Sequence, residues 1–198
     1  MSKKLSIQDL IRIGVYTAIY FITMSVGTFV SFILLPGFSS IFTPAIVALF
    51  SGVVYLLLAQ SVQKFGAITI MSVLIGGFFL ISGHFFLAFL ANVFFGFLAD
   101  IIAKMGKYRK RYYLIASYVV YAYGLIGPIL PLWFMKNLYI KNLLARGKDA
   151  AYVERIFSPI NTGSFFLSMI ATCICGIIGG VIGYKLYEKH FYKTGISE

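Results

Sequence analysis

The chain has 198 residues, 60% of them hydrophobic, with a mean hydropathy of +0.91 and a formal net charge of +11. That combination excludes an ordinary soluble domain, and the length leaves no room for one beside a membrane bundle. The apolar runs are long and continuous, which excludes a β-barrel of short alternating strands.

A helix crossing a bilayer needs about 20 mostly apolar residues. On that basis the sequence predicts an all-α integral membrane protein. One membrane domain, 1–198, holds six spans at about 10–34, 41–60, 66–82, 84–103, 112–134 and 160–186. Pro36-Gly37 stops the first run, and Pro44 stands in the expected first turn of the second, where its missing N–H costs little. Almost no loop separates the third and fourth runs, so those spans are adjacent and antiparallel. Gly127-Pro128 and Pro131 kink the fifth run near its outer end, just before Trp133. The long polar stretch 136–158 reads as two short extracellular interfacial helices broken at Gly147.

The basic residues fall on two sides. Lys3, Lys4 and Arg12 sit at the N-terminal end, Lys64 in the 2–3 connection, and Lys104, Lys107, Arg109, Lys110 and Arg111 in the 4–5 connection. Lys185, Lys189 and Lys193 bring that side to twelve. The other five, Lys136, Lys141, Arg146, Lys148 and Arg155, lie in the 5–6 connection. Cytoplasmic loops are enriched in Lys and Arg, so both termini are expected in the cytoplasm. The positive charge reports topology toward the lipid bilayer, and no nucleic-acid partner is expected. The first run is too long for a signal-peptide core, so no cleavable signal is expected.

Small residues at i and i+4 allow close helix contact. Gly14 and Ala18, with Ser25 further along, form such a stripe in span 1, either packed internally or docking a partner protein. The stripes in span 4 (Asn92, Gly96, Ala99, Ala103) and span 6 (Gly176, Gly179, Gly180, Gly183) read as internal packing. Cys173 and Cys175 read as small apolar filler, and no metal site or cofactor is expected. Asp100 precedes Lys104 by four residues near the inner end of span 4. It is either half of an i,i+4 ion pair or a coupling carboxylate, and its depth favours the pair.

Polar groups at membrane depth need partners or a cavity. If the outer halves of spans 4 to 6 face one another, His84, Asn92, Tyr121, Trp133 and Asn161 gather there, with Tyr118 and Tyr123 nearby. An aromatic pocket with a few polar handles is the usual make-up of a small-molecule site. No GxxxxGK[ST], HExxH or GxSxG motif occurs, and two His with six acidic residues give hydrolytic chemistry few candidates. No catalytic residue is assigned and no enzyme is expected.

The strings PAIVALFSGVVYLLLA, GAITIMSVLIGG and NVFFGFLADII, with six spans and the small face of span 1, carry a resemblance. The chain resembles the substrate-binding S component of an energy-coupling factor (ECF) transporter, of the MptD-type subgroup. That resemblance implies a six-helix bundle in a bacterial cytoplasmic membrane. It implies capture of a vitamin-like or cofactor-like small molecule from outside, with delivery through a T component and two ATPases. Family members dock on the T component through an Ala-x-x-x-Ala stripe, and the matching positions here are Gly14 and Ala18. A flat uncharged heterocycle suits the expected pocket. The alternatives are haem, with His84 as axial ligand, and a self-sufficient transporter coupled to protons through Asp100.

Overall fold

The computed structural model describes residues 4–190, so Lys3, Lys193 and the chain ends lie outside the described residues. Among the described residues all regular structure is helical. Helix α1 spans Ile7–Leu34, α2 Ser39–Val62, α3 Ala67–Ile81 and α4 Phe86–Met105. The fifth run is broken: α5 covers Arg111–Ala122, a 3-10 turn follows at Tyr123–Ile126, and α6 is the single turn Pro131–Phe134. Two short helices, α7 (Lys136–Ala145) and α8 (Ala150–Phe157), precede α9 (Thr162–His190). Four of these helices, α1, α2, α4 and α9, are long and apolar enough to cross a membrane. At 15 residues α3 is only about 22 Å long.

Local chemistry sets the boundaries. Ser6 and Asp9 form a reciprocal capping box at the start of α1, and Lys64, just past α2, pairs with the same Asp9 carboxylate. Helix α1 stops before Pro36 and Gly37, whose φ of +90° suits glycine. Helix α2 starts two residues earlier than the sequence suggests, so Pro44 lies inside the helix rather than in its first turn. Pro44 therefore gives no N–H to the Ser40 carbonyl. Gly147, at φ +76°, separates α7 from α8.

Helix α2 is the most buried of the long helices, with α1 on one side and α9 on the other. The α2–α9 crossing brings backbone against backbone. A Cβ on Gly52 would strike the Gly179 carbonyl, and one on Gly183 would press on the Gly52 carbonyl. In span 4, Ser72 fills the space where Gly96 would carry a side chain, and Ala99 and Ala103 are fully buried. Hydroxyl groups bridge the remaining helices. Tyr118 donates to the Ala48 carbonyl, Ser117 to the Ala99 carbonyl at 2.6 Å and Ser168 to the Ile41 carbonyl at 2.8 Å.

The helix ends order the bundle. One end, with both ends of the described chain, holds Asp9, Lys64, Gly66, Asp100 and Tyr108; it is termed the terminal end. The distal end holds Ser31, Thr43, the 3–4 loop and α7–α8.

At Gly179 a methyl group would meet carbonyl oxygens of α2, which cannot move aside as a side chain can. Gly179→Ala is expected to destabilise the protein by about 1–3 kcal/mol or more, whereas Gly14→Ala, with open space around it, should be neutral. Thermal unfolding of the detergent-solubilised variants, followed by size-exclusion fluorescence, measures the difference.

Candidate functional site

Asp100 is fully buried at the terminal end. Its Oδ2 accepts from the Gly66 N–H at 2.8 Å, the Thr69 N–H at 3.1 Å and the Thr69 hydroxyl at 2.9 Å. Its Oδ1 accepts from the Tyr108 hydroxyl at 2.7 Å. Gly66 is the N-cap of α3 and has no side chain, so a carboxylate from α4 supplies the cap. The expected ion pair with Lys104 does not form. The Lys104 amine lies 5.0 Å over the Phe65 ring instead. Tyr108 reaches Asp100 because Lys107 and Tyr108 both adopt positive φ in the 4–5 turn. Every one of these bonds holds the fold together.

The distal end is open. A cavity of about 550 Å³ lies between α1, α2, the end of α3 and the broken fifth span. Helix α1 lines it with Phe21, Met24, Ser25 and Thr28, and α2 with Ser40, Thr43, Pro44 and Val47. Phe78 and Phe79 at the end of α3, with His84 just past it, form one wall, and Leu125, Pro128 and Ile129 form that from the fifth run. The lining carries no charged residue. Its hydroxyls are mostly committed as donors to helix carbonyls, Ser25 to Phe21, Thr28 to Met24 and Thr43 to Ser39. What they offer a guest is therefore lone pairs.

His84 stands between this cavity and a smaller one of about 80 Å³ beneath α7. Its Nδ1 lies 2.9 Å from the Ser82 hydroxyl, and its ring meets Phe79 edge-on. Burial pushes the His84 pKa below the ordinary value; the Phe79 backbone opposes that shift and nearby Arg146 adds to it. The imidazole is therefore neutral near pH 7. Arg146, the residue just past α7, donates to the Gly83 carbonyl at 2.6 Å, and Tyr139 stacks on Phe85. These two contacts dock α7 on the 3–4 loop.

Of the five residues assembled from the sequence, His84 alone lines the larger cavity. Asn92 is buried, and its amide donates to the Ala88 and Gly124 carbonyls at 2.9 and 3.0 Å. It satisfies backbone where the fifth span turns 3-10. Trp133 donates to the Asn161 carbonyl at 3.0 Å and lies against Phe165. Asn161 caps α9, its Oδ1 accepting from the Ser164 N–H at 2.9 Å. Both therefore tie the end of the fifth span to the start of α9. Tyr121 lies one turn deeper than the cavity residue Leu125. The walls supplied by α1 and α2 were not anticipated. The signal was present in Thr28 and Thr43, polar residues inside apolar runs.

Gly14 and Ala18 face outward from the bundle, and a Cβ on Gly14 would meet no atom within 4 Å. The stripe in span 1 is therefore not internal packing within this chain.

Long apolar helices, buried polar groups that are mostly paired, and an uncharged distal cavity define a multi-pass helical membrane protein. The chain belongs to the Trep_Strep family, whose model, described as a hypothetical bacterial integral membrane protein, matches residues 7–193. No curated protein and no solved structure matches it.

Removing the Asp100 carboxylate strands four donors, three of them at the half-buried start of α3. Asp100→Ala is expected to cost more than about 3 kcal/mol of stability, and Asp100→Asn less, since one oxygen remains. Unfolding midpoints in detergent read this directly. A variant that keeps its midpoint but loses transport would instead mark Asp100 as a coupling group.

Proposed function

We propose that the protein is the substrate-capture subunit of an ATP-driven importer of the ECF type. It binds a vitamin-like or cofactor-like small molecule from outside and is not itself an enzyme. The observation that carries this reading is the uncharged cavity at the distal end. By the charge distribution that end faces outward, and both termini lie in the cytoplasm. The membrane is then the bacterial cytoplasmic membrane.

The outward Gly14–Ala18 face supports docking on a T component, which two ATPases drive. Small side chains let a partner helix approach closely. The finer kinship with MptD-type S components rests on the strings in spans 2 to 4. The surroundings of Asp100 favour this reading over a self-sufficient proton-coupled transporter, because both of its oxygens are occupied by structural bonds far from the cavity.

One observation favours a second reading, capture of haem. His84 borders the cavity as a neutral imidazole whose Nδ1 is engaged by Ser82, the state suited to metal ligation through the other nitrogen. Protein purified from haem-fed cells would then carry an absorption band of ligated haem that His84→Ala removes.

Uptake into liposomes, with and without the T component and ATPases, tests the main reading, using the molecule that mass spectrometry finds co-purified. Uptake without them would overturn it. Gly14→Leu is expected to abolish ATP-driven uptake while leaving ligand affinity of the isolated subunit unchanged. Equal loss of both would remove the docking role. Protease added to intact cells should spare tags at both termini.

A further inference from the structure

Among the described residues, two buried tyrosine hydroxyls beneath the cavity have no hydrogen-bond partner. The inner side of the cavity is closed by its buried lining residues Met24, Val47, Phe79 and Leu125. Tyr20 lies one turn before Met24, Ser51 one turn after Val47, and Tyr121 one turn before Leu125. Given the helix directions, all three sit in the layer just below. Tyr20 and Tyr121 meet edge to face, with ring centres 5.5 Å apart. Tyr20 is beside Ser51 and Tyr121 beside Ser72, yet neither phenol reaches hydrogen-bonding geometry. Ser51 is engaged with Thr23 and Ser72 with the Ile68 carbonyl.

Deeper in the same core the pattern differs. Tyr55 is bonded to Ser117 and Tyr118 to the Ala48 carbonyl. Among the described residues the buried hydroxyls without a partner are those of Tyr20, Tyr121 and Thr172, and the two tyrosines are the pair one turn below the cavity. A buried hydroxyl without an acceptor is costly, and native interiors avoid it. Met24, at the boundary between layer and cavity, is a flexible side chain that repacks readily.

We propose that ligand entry extends the cavity one helical turn inward, where Tyr20 and Tyr121 donate hydrogen bonds to one acceptor group of the ligand. The favoured guest is an uncharged, largely apolar molecule with a carbonyl-type or ring-nitrogen acceptor at its leading edge. A carboxylate is disfavoured, because neither the lining nor this layer supplies a cation to pair with it. The inference rests on the cavity being the capture site, and it names the ligand chemistry.

Three matched probes test it: 2-acetylnaphthalene, the hydrocarbon 2-ethylnaphthalene and the anion 2-naphthoate. Binding is measured by calorimetry on the full chain in detergent, with the Tyr20→Phe, Tyr121→Phe and double variants run alongside. The ketone is expected to bind about tenfold tighter than the hydrocarbon, and the anion weakest. The double variant should bind ketone and hydrocarbon alike, with the hydrocarbon affinity and unfolding midpoint no lower than in the parent. Each single variant should lose part of the preference, which serves if the double variant does not fold. A parent without the preference, or a preference that survives both substitutions, overturns the proposal. Preference without ATP-driven uptake would keep the subsite and remove the importer reading. Uptake without preference would do the reverse.

Discussion

The Asp100 carboxylate is the contact on which the distal site depends. The free N–H groups in the first turn of a membrane helix need acceptors, because few are at hand there. Helix α3 has glycine at its N-cap and cannot cap itself, so α4 supplies the acceptor. That bond fixes the start of α3 at the terminal end. Being short, α3 then stops at Ile81, and the cavity lies where it ends. The following loop carries His84 to the cavity wall and Gly83 to Arg146 at the end of α7. A single buried acid thus sets the depth of a helix, and through it the position of a site at the other end of the bundle.

Small residues have opposite roles within this chain. On α2 and α9 they bring two backbones together, and on α4 Gly96 makes room for Ser72. On α1 the same pattern faces away from every other helix. Close packing uses dispersion and leaves no room for a side chain. An unfilled small-residue face is therefore a surface that another helix can approach closely, and in this protein it lies nearer the terminal end than the cavity does.

The fifth run shows how the bundle tolerates an interrupted helix. Gly124, Gly127, Pro128 and Pro131 stop regular bonding near the distal end. Asn92 supplies a donor to the Gly124 carbonyl, and the missing side chain at Gly127 lets the segment lie against Ala88 and Ala91. Non-helical backbone at this depth persists only where protein covers it. The same interruption brings Pro128 and Ile129 to the cavity wall, so the break contributes to the site as well as to the packing.

The amino-acid sequence by itself determined the helical membrane class, since transfer of apolar side chains and pairing of backbone groups depend on composition over each run. Glycine and proline placed the breaks at Pro36-Gly37, at Gly147 and in the fifth run, because those residues restrict or free the local backbone whatever surrounds them. Tertiary structure decided the roles of the polar side chains. Asp100 and Lys104 are four apart on one helix, yet the carboxylate found donors on α3 that no local spacing reveals. Asn92, Trp133 and Asn161 read from the sequence as polar residues gathered near one end. Each spends its hydrogen bonds on backbone or on a neighbouring helix. The cavity formed among α1, α2, the end of α3 and the broken fifth run. Which faces of apolar helices meet depends on how their side chains interlock across the bundle, and the periodicity of a single run carries no record of its neighbours.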